Sequence, residues 1–310
     1  MIVILNPAAG GGRARERWDK MESRVRQLVG PLDVVTLEGG ATVDHLVGAA
    51  LRRGERHFIA AGGDGTVNLV VSALLRQAPR GVLENLRLGA VGLGSSNDFH
   101  KPLSMERQIE DVPIKLDFRV IVRHDVCMLT YRDETGGLHS RRWVINASVG
   151  TTAEANHFFN HPNGMLRLMK RHLPSCAMAY AALRTIVSYK ARKMIITLDE
   201  ADTVYTRVKN LGIVKNPHFT GSLSYDSPYE PGGGHFYVHL LRRVSTLRLL
   251  LTLLGLLRGK FNGRKGTRSW RATRVRIESE EPFAVEGDGE VVMARRAYFS
   301  IVPNLLQVCT

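Results

Sequence analysis

Gly62, Gly63, Asp64, Gly65 and Thr66 place three glycines, an acid and a hydroxyl in five consecutive positions. Glycine accepts positive φ and lets a backbone approach a ligand closely. A hydroxyl at Thr66 is able to cap a helix. The N–H groups of a first helical turn are unpaired and lie at the positive end of the macrodipole, which makes phosphate their natural guest. An acid inside an anion cradle is useful where a metal ion or a transferable proton is handled, so the combination points to phosphoryl transfer. Spacing alone is equally compatible with a plain Gly-rich turn. A second acidic pair, Asp288 and Glu290, flanks Gly289 near the carboxyl end. On an extended backbone these two would share a face, and like charges that close resist joint ionisation unless a metal lies between them. The bland reading of that pair is a polar hairpin with solvated acids.

The elements around the five-residue turn follow from apolar periodicity. Phe58 to Ala61 reads as a buried strand entering it. Thr66 to Gln77 reads as a helix leaving it, with Val67, Val70, Val71, Leu74 and Leu75 on one face. Two further strands end in Gly-rich turns. The first, Ile2 to Leu5, breaks at Asn6-Pro7-Ala8-Ala9-Gly10 and leads to a basic helix over Ala14 to Val29. The second, Leu88 to Val91, breaks at Gly92 to Phe99, a turn holding Ser95, Asn97 and Asp98. Val34 to Leu37 supplies another strand, with Thr36 near its end, followed by a helix over Thr42 to Arg53. Strand and helix alternate for about a hundred residues, the pattern of a parallel sheet covered on both faces. In such sheets ligands bind beyond the carboxyl ends of the strands, where all three turns can lie. Beyond about Lys115 the pattern becomes strand-rich. Phe118 to Val122, Asp125 to Tyr131, Leu138 to Asn146, Lys193 to Leu198, Val204 to Val214 and Gly234 to Leu241 predict an antiparallel β domain, with a helical insertion over about 152–189.

The 310 residues carry 43 Lys and Arg against 29 acids, a formal charge of +14, which favours an anionic partner. Cys127, Cys176 and Cys309 are widely spaced and show neither a disulfide framework nor metal-ligand spacing. No signal-peptide pattern opens the chain, and no apolar run reaches the roughly 20 residues that span a bilayer. The expected location is cytoplasmic with peripheral membrane association. There is no aromatic-rich strand or recognition helix for nucleic acid.

With the motifs in view, the chain resembles the diacylglycerol kinase catalytic family, which includes bacterial soluble diacylglycerol kinases, sphingosine kinases and ceramide kinases. Asn6 to Gly10 is similar to its first phosphate loop, Gly62 to Thr66 to its Gly-Gly-Asp-Gly-Thr signature, and Gly92 to Phe99 to its third turn. Asn146 to Gly150 and Asp288 to Glu290 resemble its Asn-x-x-x-Gly and Asp-Gly-Glu motifs. The resemblance implies an N-terminal doubly wound α/β nucleotide-binding domain, residues 1–117 with about 297–310. It also implies a C-terminal antiparallel β-sandwich lipid-binding domain, residues 118–296, with the active site in the cleft between the two. It implies ATP and Mg²⁺ as cofactors and a lipid hydroxyl as acceptor. Asn6, Pro7, Ala8, Ala9, Gly10, Thr36, Gly62, Gly63, Asp64, Gly65, Thr66, Asn68, Ser95 and Asn97 would form the nucleotide site. Glu290 would accept the hydroxyl proton, with Asp288 and Asp64 holding Mg²⁺ or sharing that role. Asp98 and Glu154 would meet the substrate. A soluble-acceptor kinase of the NAD kinase kind and a catalytically silent lipid- or anion-binding homologue are the alternatives.

Three departures from the family pattern stand out. Leu69 replaces a Glu, Gly92 replaces a proline, and Gly233 takes the place of an Asp in a turn that binds a structural Mg²⁺ in bacterial members. Asp226 and Glu230 are the residues placed to compensate for Gly233. Ser245 to Leu257 is leucine-rich and flanked by arginines, suited either to a core helix or to one lying at an anionic membrane surface. Trp270 would then anchor at the headgroups or be buried, and assembly as a homodimer is left open.

Overall fold

The computed structural model describes residues 1–37, 42–103, 107–172 and 174–310. Strands Asp33–Thr36, Ile2–Leu5, His57–Gly62 and Arg87–Gly92 lie side by side in that spatial order, all parallel. Successive side chains go to opposite faces. Ile2, Ile4, Phe58, Ala60, Leu88 and Ala90 enter one core, beneath helices Val43–Arg52 and Asp64–Gln77. Val3, Leu5, Ile59, Ala61 and Val91 enter the other, against Ala14, Trp18, Met21 and Val25 of helix Ala14–Val29. Burial on both faces is why these strands read as unbroken apolar runs. Val112–Lys115 adds an antiparallel strand beside Ala90 and Val91. Pro113 disguised it, since proline marks a strand as an edge or no strand at all.

The rest is largely antiparallel. Strands Asn146–Gly150, Arg192–Leu198, Asp202–Val214, Phe236–Arg242, Thr267–Ala272 and Arg274–Gly287 surround a core that includes Trp143, Phe236, Phe283 and Phe299. Helices Thr151–Asn160, Gly164–His172 and Pro174–Ser188 form the insertion. The expected single strand from Leu138 to Asn146 is two, ending at Trp143 and restarting at Asn146. The expected strand at Phe118 begins only at Ile121.

Two long strands, Ile121–Arg132 and Glu290–Cys309, run through both halves. Arg296–Val302 pairs within the β half; after a register break, Leu306–Cys309 pairs with Ile121–His124, and Gln307 and Val308 lie parallel to Arg87 and Leu88. At this break Lys215 Nζ donates to Asp125 Oδ2 at 2.6 Å, to the Glu230 carbonyl at 2.9 Å and to the His235 carbonyl at 2.6 Å. Asp125 in turn accepts from the N–H groups of Gly234 and Asn304. Three ammonium donors meet three oxygens, so the cluster is satisfied without a metal. The residues therefore do not fit the structural Mg²⁺ that the resemblance associates with this turn. Neither proposed substitute ligand turns towards it: Asp226 accepts from the N–H groups of Phe261 and Asn262, and the Glu230 carboxylate accepts from Tyr237.

Candidate active site

The three Gly-rich turns converge at the carboxyl ends of the parallel strands. Asn6 Oδ1 accepts from the Ala8 N–H at 3.1 Å, folding the Pro7-Ala8-Ala9 turn back on itself. Asn6 Nδ2 donates to Thr66 Oγ1 at 3.0 Å, tying the first turn to the second. Gly10, at φ +60°, lies so close to the third turn that a Cβ would approach the Leu93 carbonyl oxygen to 2.5 Å. Gly63 and Gly94 meet backbone to backbone, and a Cβ on Gly94 would stand 2.5 Å from the Gly63 Cα. The glycines thus permit contact between loops. Thr36 ends its strand beside Leu5, on the same rim.

Thr66 differs from expectation. The helix starts at Asp64 with Gly63 at its N-cap, and Thr66 is buried one turn in, its hydroxyl against Gly62 and Asn6. Asn97 and Asn68 do not project from the rim either. Asn97, at φ +51°, stitches its own turn, donating to the carbonyls of Gly92 and Gly94 and accepting from the Gly94 N–H. Asn68 Nδ2 reaches across to Asp288 Oδ2 at 2.7 Å.

Asp64 accepts from the N–H groups of Asp98 at 3.0 Å and Phe99 at 2.9 Å, capping the short helix that opens there. Burial pushes its carboxyl above the usual range, with the Asp98 charge adding to the rise and the two N–H bonds opposing it. Asp98 is itself held by Ser96 Oγ at 2.7 Å, Lys101 Nζ at 2.8 Å and the Gly221 N–H at 3.3 Å. Lys101 also donates to the Gly221 carbonyl, and Asn216 Nδ2 to the Asp98 carbonyl, so this turn is clamped to the β half.

The acidic hairpin is a two-residue turn with positive φ at both Asp288 and Gly289, closed by the Gly287–Glu290 pair. That geometry overturns the shared face expected of Asp288 and Glu290. Asp288 points inward, accepting from the N–H groups of Val144, Ile145 and Asn146 at 2.8–3.0 Å and from Asn68. Those bonds break the strand between Trp143 and Asn146. Burial pushes its pKa up to about 7 against the N–H groups, and Glu286 adds to the rise. Four donors fill the lone pairs of the carboxylate, so Asp288 does not fit the metal-ligand role expected of it. Glu290 points outward, 60% exposed, and pairs with Arg141 at 2.5 Å.

One cavity of about 520 Å³ lies between the halves. Asp64, Gly65, Ser95 and Asp98 line one side; Ile145, Val214, Phe219 and Tyr225 give an apolar wall; Glu286, Asp288 and Ser148 close it. Glu290 is not among its lining residues. Glu286 was missed from sequence. It is buried, accepts from Ser148 Oγ and the Gly289 N–H at 2.6 Å each, and is pushed upward in pKa by burial. Its signal was an acid closing the apolar run Phe283–Val285, since unpaired acids are seldom buried. Glu154 falls elsewhere. Helix Thr151–Asn160 turns Thr152, Asn156 and Phe159 to this cavity, whereas Glu154, His157 and Phe158 line a separate groove where Glu154 meets Arg192 at 3.4 Å. Among the described residues no cluster of three His, Cys, Asp or Glu is arranged to hold a metal ion.

Comparison with known proteins agrees with this architecture. The diacylglycerol kinase catalytic domain matches residues 1–129, and the YegS C-terminal NAD kinase beta sandwich-like domain matches residues 146–310. The chain belongs to the diacylglycerol kinase family, and as such it is a lipid kinase. A provisionally named lipid kinase of Streptococcus pneumoniae serotype 4 is 21% identical over 93% of this chain and 90% of its own. The mitochondrial acylglycerol kinase of Xenopus laevis is 34% identical, but over only 34% of this chain and 24% of its own. A diacylglycerol kinase structure from Bacillus anthracis strain Sterne shares the fold at TM-score 0.68 and 12% identity, covering 99% of this chain and 95% of that one.

Proposed function

We propose that the protein transfers the γ-phosphoryl group of ATP, with Mg²⁺, to the hydroxyl of diacylglycerol or a related sphingoid, ceramide or phosphatidylglycerol-like lipid. The α/β half would take the nucleotide on the rim formed by Asn6–Gly10, Thr36, Gly62–Thr66 and Ser95. The β half would take the lipid. The observation that carries this reading is the cavity between the halves, with Asp64, Gly65 and Ser95 on one side and an apolar wall opposite.

Asp64 stands at the junction of the two. Its oxygens each give one lone pair to a backbone N–H and keep one, so it fits both a bond from the acceptor hydroxyl and contact with Mg²⁺. Mg²⁺, when bound, would neutralise charge on the phosphates. The acceptor oxygen bonds to the γ-phosphorus, the bridging bond to the β-phosphate breaks, and ADP leaves. Asp64 takes the hydroxyl proton, a role that a raised pKa suits. Glu286, oriented by Ser148, orients the acceptor head group, and Asp288 holds the hairpin in place. Glu290, outside the cavity, has no part in the step.

Incubation with γ-labelled ATP, Mg²⁺ and a lipid extract should yield chloroform-soluble label. Label confined to the aqueous phase would replace this reading with a soluble acceptor of the NAD kinase kind.

A further inference from the structure

Helix Thr246–Leu256 is apolar on two sides. Leu249 and Leu256 face inward, packing with Val214, Phe219, Tyr225 and Phe261. Three of those partners, Val214, Phe219 and Tyr225, are the apolar wall of the cavity, so the helix lies directly behind the site. Its other side holds Leu247, Leu251, Leu254 and Leu257, which are 67%, 48%, 55% and 53% exposed. Ile186 joins the same inner cluster and brings helix Pro174–Ser188 alongside, adding exposed Leu183 and Val187. A contiguous apolar face of this kind marks an interaction surface.

Charge identifies the partner. From Pro231 to Ile277 the chain has eleven Lys and Arg and no Asp or Glu. Arg242, Arg243, Arg248, Arg258, Lys260 and Lys265, at the ends and along the flank of the leucine helix, are all exposed. Two copies meeting through this face would oppose like charges, which disfavours a dimer there.

We propose that this face docks on an anionic lipid bilayer, with the outer leucines in the acyl boundary and the flanking cations at the headgroup phosphates. The helix has 11 residues, too few to span, and suits the plane of the interface. Trp270 takes no part: it is partly buried against the β core, with Arg268 over its ring at 4.6 Å. The purpose of docking, bringing the cavity to a lipid substrate, rests on the function proposed above. The docking itself does not, and it is measured without ATP or acceptor.

The test is sedimentation of the full chain with phosphatidylglycerol–phosphatidylcholine vesicles and with pure phosphatidylcholine vesicles, at low and high salt. The wild type should bind the anionic vesicles, lose affinity as salt rises, and bind phosphatidylcholine weakly. The triple variant Leu247→Gln, Leu251→Gln, Leu254→Gln should lose at least ~10-fold in affinity at an unchanged melting temperature, because these side chains are exposed. The double variant Arg248→Gln, Arg258→Gln should show reduced binding and a shallower salt dependence, and it keeps the test open should the triple variant misfold. Equal binding by wild type and variants, or salt-insensitive binding to both vesicles, would overturn the proposal. So would a wild-type dimer in light scattering that the leucine variant turns into monomer. Failure of the chloroform-extraction assay with this binding pattern intact would remove the acceptor assignment and leave the docking surface standing.

Discussion

At the scale of single residues, the acids differ by what already occupies their lone pairs. Asp64 has two donors and faces the cavity, Asp288 has four and is saturated, and Glu290 is spent on an exposed arginine. Asp64→Asn should therefore cut turnover by at least ~10²-fold, the scale of a lost proton acceptor. Glu290→Gln should leave it within a few-fold of wild type; steady-state kinetics on both variants checks this, and a reversed ranking would return the base to Glu290. Asp288 should show itself through stability. Its folded pKa of about 7 lies above the ordinary aspartate value, so the folded state holds the proton more tightly than the unfolded one. That contribution is fully present below about pH 4 and lost as pH rises through about 7. Thermal melts from pH 4 to 8 should show a decline in the wild type that Asp288→Asn flattens.

At the scale of elements, the glycine turns and the lysine cluster do the positioning. Gly94→Ala would drive a methyl into the Gly63 backbone and separate the second and third turns. The expected result is a rise in the KM for ATP of ~10-fold or more, the kind of loss that follows a misplacement near 1 Å; an unchanged KM would mean that the turns need not touch. Lys215 and Asp125 have side chains 3% and 0% exposed. Removing one partner strands the other in the interior, so Lys215→Met should cost roughly 3–5 kcal/mol, read from denaturant melts. The wild-type melting temperature should not move when a chelator is added in the absence of nucleotide, because an ammonium already fills the oxygen cage.

At the scale of the whole molecule, the two halves share strands Ile121–Arg132 and Glu290–Cys309, and the Asp98–Lys101–Gly221 clamp closes the gap between them. Calorimetry should accordingly give one cooperative unfolding transition, and two resolved transitions would show that the halves are independent. The division between what was legible and what was not follows the range of the forces involved. The parallel strands, their helices and the three Gly-rich turns were readable because apolar periodicity and glycine placement act over a few residues; helix Ala14–Val29 and strand His57–Gly62 came out nearly as read. The resemblance likewise rested on short motifs in order. Side-chain direction was not legible. The positive φ of Asp288 sends it inward and Glu290 outward, the two faces of helix Thr151–Asn160 send Glu154 to a different groove, and Asn68 is claimed by an acid far along the chain. Nothing near Lys215 in the chain announces that its ammonium will fill a cage of oxygens, because its partners arrive from two distant segments, Asp125 and the turn from Glu230 to His235. Local conformational preference and burial are written residue by residue; which lone pair remains free for chemistry depends on donors that only the folded chain brings within hydrogen-bond distance.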